Sequence, residues 1–539
     1  MTSRSAGTLA CAVALALLAS TGRGSAQGPA PAAPTPTPTL APVPASVIRV
    51  DRARAGIPLG TSMTINVSGP NGPLAVQVPF DGLDASYDPL THRLLLTGRA
   101  AGSGTLTLTD RDGNTAAVAV LVAPPAGVIP ADVGVELAGN VSAAFVTARI
   151  RDAIQRALVS QPGTGLDVHG LTIPPTLAPG DDLEGQAGVT LDGRGTFVDV
   201  TGRIGVHVHV DPEPPLEPGV LFYSDDPEYI GAQLTGVLID GAIDARTPAR
   251  LFVYHVADGA ARRISLFLRS PVTAHVQLLG TIGGVSPAYT YIGQQSTARF
   301  LAAHASGQSA ILTVAAGTPY EIPLGLQQPG DLLEAIEDLR VLDGGPVDLT
   351  VVTEPDGAPL PSLDGPELPG DTHGRRGEFA LANIAPVDLS FAGDAPEPAP
   401  VAVGTLAPAN RRADGRPLAG DYGVVRPLAL HLANATAAPL PVYLYELTND
   451  GSGATVTVWF TGDPAPTLVP CVADAGQPHL IKAFTLAAGE ARMVTGTFMT
   501  DGASAYPIRF GLSATAPPPA PPNGCAPAPA ATPAPSPQP

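Results

Sequence analysis

Short apolar runs that alternate with polar residues, each closed by a glycine- or proline-rich turn, constrain this chain most. Residues 105–109 read TLTLT and residues 116–122 read AAVAVLV, with the turn sequence DRDGN between them. Successive side chains of a strand point to opposite faces, so each run buries one face. Because 60 glycines and 61 prolines punctuate similar runs along the 539 residues, we predict a mainly β fold of several β-sandwich domains in tandem, with one small α+β domain.

One segment departs clearly from this pattern and predicts a helix, whereas residues 296–304 allow only a short one. In residues 141–161, apolar side chains recur every four residues at Val146, Ile150 and Ile154, and Ser142 can cap the start. This helix and the strands after it predict the α+β domain at residues 130–215. We divide the rest into a signal peptide (1–26), a proline-rich linker (27–45), a β-sandwich (46–126), a second β-sandwich (216–354), a linker (355–372), a third β-sandwich (373–516) and a proline-rich tail (517–539).

The N-terminus predicts export. Arg4 precedes an apolar run at residues 9–19, which is too short to span a bilayer, and small residues then lead to a cleavage site after Ala26. No later stretch is apolar and long enough for a transmembrane helix. We therefore expect a mature chain without a transmembrane segment, located in the periplasm, at the cell surface or outside the cell.

The charge balance and the absence of motifs narrow the function. The formal net charge is −19, and an acidic surface repels phosphate backbones, so we expect no nucleic-acid partner. The chain has no G-x-S-x-G, H-E-x-x-H, C-x-x-C or Walker motif. We therefore predict that the protein is not an enzyme and has no catalytic residues and no cofactor.

The first sandwich carries a resemblance. The run TGRAAGSGTLTLTDRDGNTAAVAVLV at residues 97–122 combines a glycine-bounded strand, a Thr/Leu hairpin and a D-x-x-G-N turn. Residues 48–124 thereby resemble the N-terminal domain of pilus-assembly and secretin-type proteins, and bacterial Ig-like domains. The resemblance implies an Ig-like sandwich that serves as an envelope-assembly or adhesive module, and it brings no catalytic residues.

A second resemblance covers more of the chain. Its order and spacing are similar to a group of uncharacterised secreted bacterial surface proteins, which often carry a copper amine oxidase-like N-terminal stalk domain that is not found in this chain. The resemblance implies a surface or periplasmic role and supplies no activity. It is carried by LFYSDDPEYI (221–230), RLFVYHVADGAARRISLFL (250–268), PAYTYIGQQSTARFL (287–301), GRRGEFAL (374–381) and GDYGVVRPLALHLAN (420–434).

Two polar clusters are weak metal candidates. His207 and His209 are two residues apart on a predicted strand and so share a face, which is a metal-ligand geometry but also that of a solvent-facing pair. Asp225, Asp226 and Glu228 could bind calcium, or could form a turn around the Asp-Pro pair. The histidine pair has no third ligand at a readable spacing, and the Asp-Pro pair favours the turn for the acidic cluster, so no metal is assigned.

Three aromatic residues are weak candidates for ligand binding. Tyr443 and Tyr445 share a face of one predicted strand, and Trp459 lies on a neighbouring one. An exposed strip of this kind could stack sugars, whereas the alternative is packing in the core.

Two cysteines remain after signal cleavage. Cys471 and Cys525 can form a disulfide in an exported chain, since export removes the reducing cytosol. The alternative is two free thiols.

Together these patterns predict an exported, non-catalytic envelope or cell-surface protein that acts in assembly or adhesion. Its partners would be envelope or surface proteins, or glycans. Two alternatives stay open, namely a carbohydrate-binding protein and a periplasmic enzyme of a type that carries no recognisable motif.

Overall fold

The computed structural model describes residues 47–370, 375–381, 384–404, 418–449, 453–521 and 525. The predicted signal peptide and proline-rich linker lie outside these residues. Strands dominate the described part of the chain, which also contains two α-helices. The fold is therefore mainly β, with sandwiches in tandem, as the alternating pattern predicts.

The N-terminal sandwich consists of two four-stranded sheets, in the orders β1-β3-β6-β5 and β2-β8-β7-β4. Ile57, Leu94 and Leu106 are fully buried between the sheets. The hairpin turn is stabilised by Asp110, whose carboxylate accepts hydrogen bonds from the backbone N–H groups of Asp112 and Asn114. The strands are β1 (Arg49–Val50), β2 (Arg54–Pro58), β3 (Ser62–Ser68), β4 (Ala75–Gln77), β5 (Leu83–Asp88), β6 (Arg93–Gly98), β7 (Gly102–Thr109) and β8 (Thr115–Ala123).

The central unit begins after the N-terminal sandwich and contains both helices, α1 (Ala143–Ala157) and α2 (Tyr289–Ser306). Its strands are β9 (Gly127–Val128), β10 (Asp132–Ala138), β11 (Val141–Ser142), β12 (Val159–Ser160), β13 (Gly165–His169), β14 (Thr176–Leu177), β15 (Asp182–Asp192), β16 (Val200–Asp211), β17 (Val220–Ser224), β18 (Tyr229–Gly231), β19 (Gly236–Ile243), β20 (Ala249–Asp258), β21 (Arg262–Arg269), β22 (Ala274–Ser286), β23 (Ser309–Val314), β24 (Tyr320–Gln327), β25 (Leu332–Asp343), β26 (Val347–Pro355) and β27 (Arg376–Ala380).

One 11-stranded sheet runs through the central unit in the order β13-β15-β16-β10-β23-β22-β25-β20-β17-β27, with β18 paired to β20. A four-stranded sheet, β19-β26-β21-β24, and helix α1 pack on one of its faces. Strand β10 pairs in parallel with β16 and antiparallel with β23, where Glu136 lies opposite Ile311. Residues 130–215 therefore share a sheet and a core with residues 216–354, and the boundary predicted near residue 215 is wrong.

Both helices differ in length from the prediction. Ser142 caps α1 by accepting a hydrogen bond from the N–H of Phe145, and α1 ends at Ala157 because the chain turns there into β12, which pairs with β9. Helix α2 begins at Tyr289 and ends at Ser306, and it is capped by Gly307, whose φ of 68° suits glycine. Helix α2 is longer than the predicted helix. It is buried on nearly every side, and the spacing of apolar residues does not indicate the length of such a helix.

The segment predicted as a linker at residues 355–372 packs on the central unit over its described part. Leu368 is buried, and its N–H donates to the carbonyl of Val237. Beyond it, β27 pairs with β17 at the edge of the large sheet. Residues 376–380 thus belong to the central unit, and not to the third predicted sandwich, because the free edge of β17 provides hydrogen-bond partners.

The C-terminal sandwich packs a five-stranded sheet, β28-β30-β35-β32-β33, on a four-stranded sheet, β29-β36-β31-β34. Phe460, Phe498 and Phe510 lie buried between them. The strands are β28 (Val387–Ala392), β29 (Val401–Val403), β30 (Arg426–Ala433), β31 (Leu440–Leu447), β32 (Ala454–Phe460), β33 (Thr467–Val472), β34 (Pro478–Leu486), β35 (Ala491–Met499) and β36 (Ile508–Ser513).

Helix α2 joins the central unit to the C-terminal sandwich. It lies between the large sheet and strands β32 and β33, and the side-chain amide of Gln294 donates to the carbonyls of Val456 and Val469, at 3.3 and 2.7 Å. A Cβ atom at Gly293 would overlap the carbonyl oxygen of Gly502. The two units therefore share one buried interface, which we call the joint.

Candidate functional site

The two histidines predicted as weak metal candidates face solvent on β16. Each is paired across the strands with a carboxylate of β15: His207 with Glu184, and His209 with Asp182 at 2.7 Å. The hydrogen bond that His209 donates to the Asp182 carboxylate raises the pKa of His209. Within the described residues, no group of three or more His, Cys, Asp or Glu side chains could hold a metal ion. His207 and His209 therefore have the arrangement of a solvent-facing pair, which is the alternative to a metal site.

The acidic cluster between β17 and β18 points into the joint. Asp225 is fully buried and forms an ion pair with Arg375 Nε at 2.9 Å, and Glu228 lies 3.5 Å from Nη2 of the same guanidinium. Asp226 is also buried, with its carboxylate against the backbone of Gly370. One guanidinium thus holds two of these carboxylates, which makes the cluster part of an internal ion-pair network.

A serine–histidine pair lies beside this network. Ser224 Oγ is 2.9 Å from His255 Nε2, and His255 Nδ1 is 2.8 Å from the carbonyl oxygen of Pro227. A carbonyl oxygen only accepts, so Nδ1 donates, and Nε2 of the neutral ring accepts from the serine hydroxyl. This order of hydrogen bonds is that of an activated serine nucleophile, although both residues are fully buried.

Sequence reasoning missed the pair because no motif joins its members. Ser224 and His255 are 31 positions apart, on the parallel neighbours β17 and β20. The one available indication was a histidine within the otherwise apolar run of residues 251–257, since a buried histidine needs hydrogen-bond partners.

The predicted aromatic strip does not form one surface. Tyr443 and Tyr445 are half-buried on the outer face of β31, where the ring of Tyr445 covers Gly511. Trp459 lies on β32, in the other sheet of the sandwich, and packs against the joint. The prediction that these three residues are neighbours is wrong, because β31 and β32 follow each other in sequence but belong to opposite sheets.

Cys471 and Cys525 form a disulfide, with their Cα atoms 5.5 Å apart. The bridge attaches the proline-rich tail to β33, and the N–H of Leu480 also donates to the carbonyl of Pro518 in this tail. Closing a loop of this separation, 54 residues, stabilises the folded chain by about 4 kcal/mol in the chain-entropy model.

A pair of tyrosines forms an accessible polar and aromatic surface that we call the tyrosine rim. Tyr229, on the edge strand β18, is 46% exposed, and Tyr289 opens α2 with its hydroxyl donating to the carbonyl of Gly330 at 3.0 Å. The carboxylates of Glu228, Asp258 and Asp331 are close enough to act electrostatically on Tyr289. Burial, followed by Tyr229 and these three carboxylates, raises the pKa of Tyr289. The rim is therefore an aromatic surface in a negative potential.

No sequence pattern indicates the rim. Tyr229 and Tyr289 come from two separate segments that carry the second resemblance, and Asp258 comes from a third. They meet only because β18 pairs with β20, where Gly231 lies opposite Asp258, and because the start of α2 reaches the turn after β24.

None of the helices in the described part of the chain combines the length and the apolar character needed to cross a membrane.

Comparison with known proteins identifies no family, since no family model and no curated protein matches the chain. Among solved structures, it is similar to fibronectin(III)-like modules of Clostridium thermocellum CbhA, at 14% identity over 30% of this chain and 95% of that chain, with a TM-score of 0.16. It is also similar to the Bacteroides ovatus protein SGBP-B in complex with a mixed-linkage heptasaccharide (16% identity, 55% and 71% covered, TM-score 0.13). A third similarity is to the human Desmocollin-1 ectodomain, at 12% identity over 32% of this chain and 43% of that chain, with a TM-score of 0.12. We assign no function from these similarities.

Proposed function

We propose that this protein is an exported, non-catalytic envelope or cell-surface protein that binds its partner through the tyrosine rim. The observation that carries the proposal is the exposure of Tyr229 beside the carboxylates of Glu228, Asp258 and Asp331. Large aromatic side chains contribute most of the binding energy in many interfaces, and tyrosine combines a broad apolar ring with a polar hydroxyl.

The charge of the rim indicates the kind of partner. Burial, and then Glu228, Asp225 and Asp258, raise the pKa of Tyr229, because a negative potential opposes loss of the phenol proton. Such a surface repels phosphate and other anions and attracts the lysine and arginine side chains of a protein partner. We therefore favour a basic segment of an envelope or surface protein over a glycan.

Binding of the purified protein to immobilised envelope extract of the producing bacterium tests the proposal. We expect Tyr229→Ser to weaken binding about tenfold, since loss of a central aromatic contact typically removes more than 1 kcal/mol. Tyr443→Ser, which removes a half-buried tyrosine from the C-terminal sandwich, is the matched control and leaves binding unchanged. Protease treatment of the extract abolishes binding if the partner is a protein, whereas periodate treatment abolishes it if the partner is a glycan.

The opposite pattern, in which Tyr443→Ser weakens binding and Tyr229→Ser does not, would sink the proposal and favour the predicted sugar-stacking role of the C-terminal sandwich.

The Ser224–His255 pair supports a second candidate function, namely a hydrolase that forms an acyl-enzyme on Ser224. Its 2.9 Å hydrogen bond and the orientation of His255 by the Pro227 carbonyl suit proton transfer from the hydroxyl. A fluorophosphonate probe separates the candidates. Labelling of the native protein that Ser224→Ala abolishes supports the hydrolase, whereas a binding protein with a sealed serine stays unlabelled.

A further inference from the structure

Two carboxyl groups meet in the joint from opposite sides. Glu334 projects from β25 of the central unit, and Asp501 follows β35 of the C-terminal sandwich; both are fully buried. The Glu334 carboxyl lies against Gly502, where any Cβ atom would overlap it. Because residue 502 is a glycine, the C-terminal sandwich leaves room for the side chain of Glu334 from the central unit.

The surroundings of the two carboxyls differ. Neither oxygen of Glu334 has a hydrogen-bond partner, and no ion pair to either carboxyl occurs among the described residues. The Asp501 carboxylate accepts a hydrogen bond from Thr455 Oγ1 at 2.7 Å, and one of its oxygens has no partner. A buried carboxylate without a cation is unfavourable by several kcal/mol, and a protonated carboxyl avoids most of this penalty.

The elements packed around the pair add negative charge rather than neutralise it. Asp225 faces Glu334 from the end of β17, and Glu446 faces Asp501 from the core of the C-terminal sandwich. The guanidinium of Arg375, beside Asp225, is already held by Asp225 and Glu228. The remaining titratable groups that face the pair are the buried tyrosines Tyr223, Tyr254, Tyr422 and Tyr506.

We propose that Glu334 and Asp501 form a proton-dependent latch, which holds the C-terminal sandwich against the central unit while protonated and loosens the joint when it ionises. The latch would make the relative position of the two units respond to the pH outside the cytoplasm. It is independent of the partner that the tyrosine rim binds.

The direction of the pH response follows from the two groups. Burial, with Asp501 and Asp225 adding to it, raises the pKa of Glu334 well above its ordinary value. Burial also raises the pKa of Asp501 to about 6, against the hydrogen bond from Thr455. The docked state thus keeps protons that a solvent-exposed carboxyl loses near pH 4. Docking is favoured in acid and weakens as the pH rises through about 6 and beyond.

Trp459, the only tryptophan of the chain, packs against the joint and reports its state. Urea titrations followed by Trp459 emission at pH 5, 7 and 9 test the latch. In the natural protein we expect the urea midpoint to fall with rising pH. For each carboxyl that ionises on opening, the equilibrium constant for opening changes about tenfold per pH unit.

Glu334→Gln removes one of these protons and keeps the shape of the side chain, so we expect a flatter pH dependence. A purely structural effect would shift the midpoint equally at every pH. Glu378→Gln, at an exposed position on β27, is the control and retains the natural pH dependence. Asp501→Asn supplies a second variant if Glu334→Gln does not fold. A midpoint that is the same at pH 5 and 9, or a natural pH dependence in the folded variants, would overturn the proposal.

Discussion

The residues that hold the joint are charged side chains buried in pairs. Arg250 donates from Nε and Nη2 to both oxygens of Asp338, at 2.6 and 2.8 Å, and from Nη1 to the carbonyl of Gly423. Removing one partner leaves the other charge buried alone, so we expect Arg250→Met to lower the free energy of unfolding by about 3–5 kcal/mol. Urea denaturation measures this change.

The double variant Arg250→Met/Asp338→Leu should recover most of that loss, because an apolar pair replaces the ion pair. The pair of Arg269 and the solvent-exposed Asp364 is the control, and Arg269→Met should change stability by less than about 1 kcal/mol. Equal losses in the single and the double variant would show that packing of Arg250 on Phe300, and not its charge, dominates.

At the scale of elements, α2 determines how the central unit and the C-terminal sandwich meet. Replacing a glycine inside a helix by alanine normally stabilises a protein by about 1 kcal/mol. At Gly293 we expect the opposite sign, since the new Cβ would overlap the carbonyl oxygen of Gly502. Thermal unfolding measured by circular dichroism checks this expectation, and a raised unfolding temperature for Gly293→Ala would contradict it.

At the scale of the whole molecule, the distribution of apolar cores predicts two unfolding transitions. The N-terminal sandwich has a core of its own, whereas a core that includes Phe252, Phe300 and Met499 spans the joint. We expect Leu106→Ala to destabilise the N-terminal sandwich by about 2–5 kcal/mol without moving the other transition. Phe300→Ala should move only the transition shared by the central unit and the C-terminal sandwich. Differential scanning calorimetry resolves the two, and a single transition displaced by both changes would refute this division.

Local patterns were sufficient to predict the hairpin strands of the N-terminal sandwich and the existence of helix α1. The alternation at residues 105–109 and 116–122 places Leu106 and Val120 in a core, and the four-residue spacing of Val146, Ile150 and Ile154 predicts α1. These features depend on neighbours within a few residues, because the pleat of a strand and the pitch of a helix repeat over that distance.

Only the tertiary structure decided which elements meet. The pairing of β10 with β23 merges two predicted domains, and the assignment of β31 and β32 to opposite sheets separates Tyr443 from Trp459. Pairing of β17 with β20 brings Ser224 to His255, and packing across the joint brings Glu334 to Asp501. The sequence by itself determined the β-rich character, the turns and helix α1, since each rests on local backbone preference and periodicity. The joint, the tyrosine rim and the buried carboxyls depend on contacts between residues far apart in the chain, which local pattern does not encode.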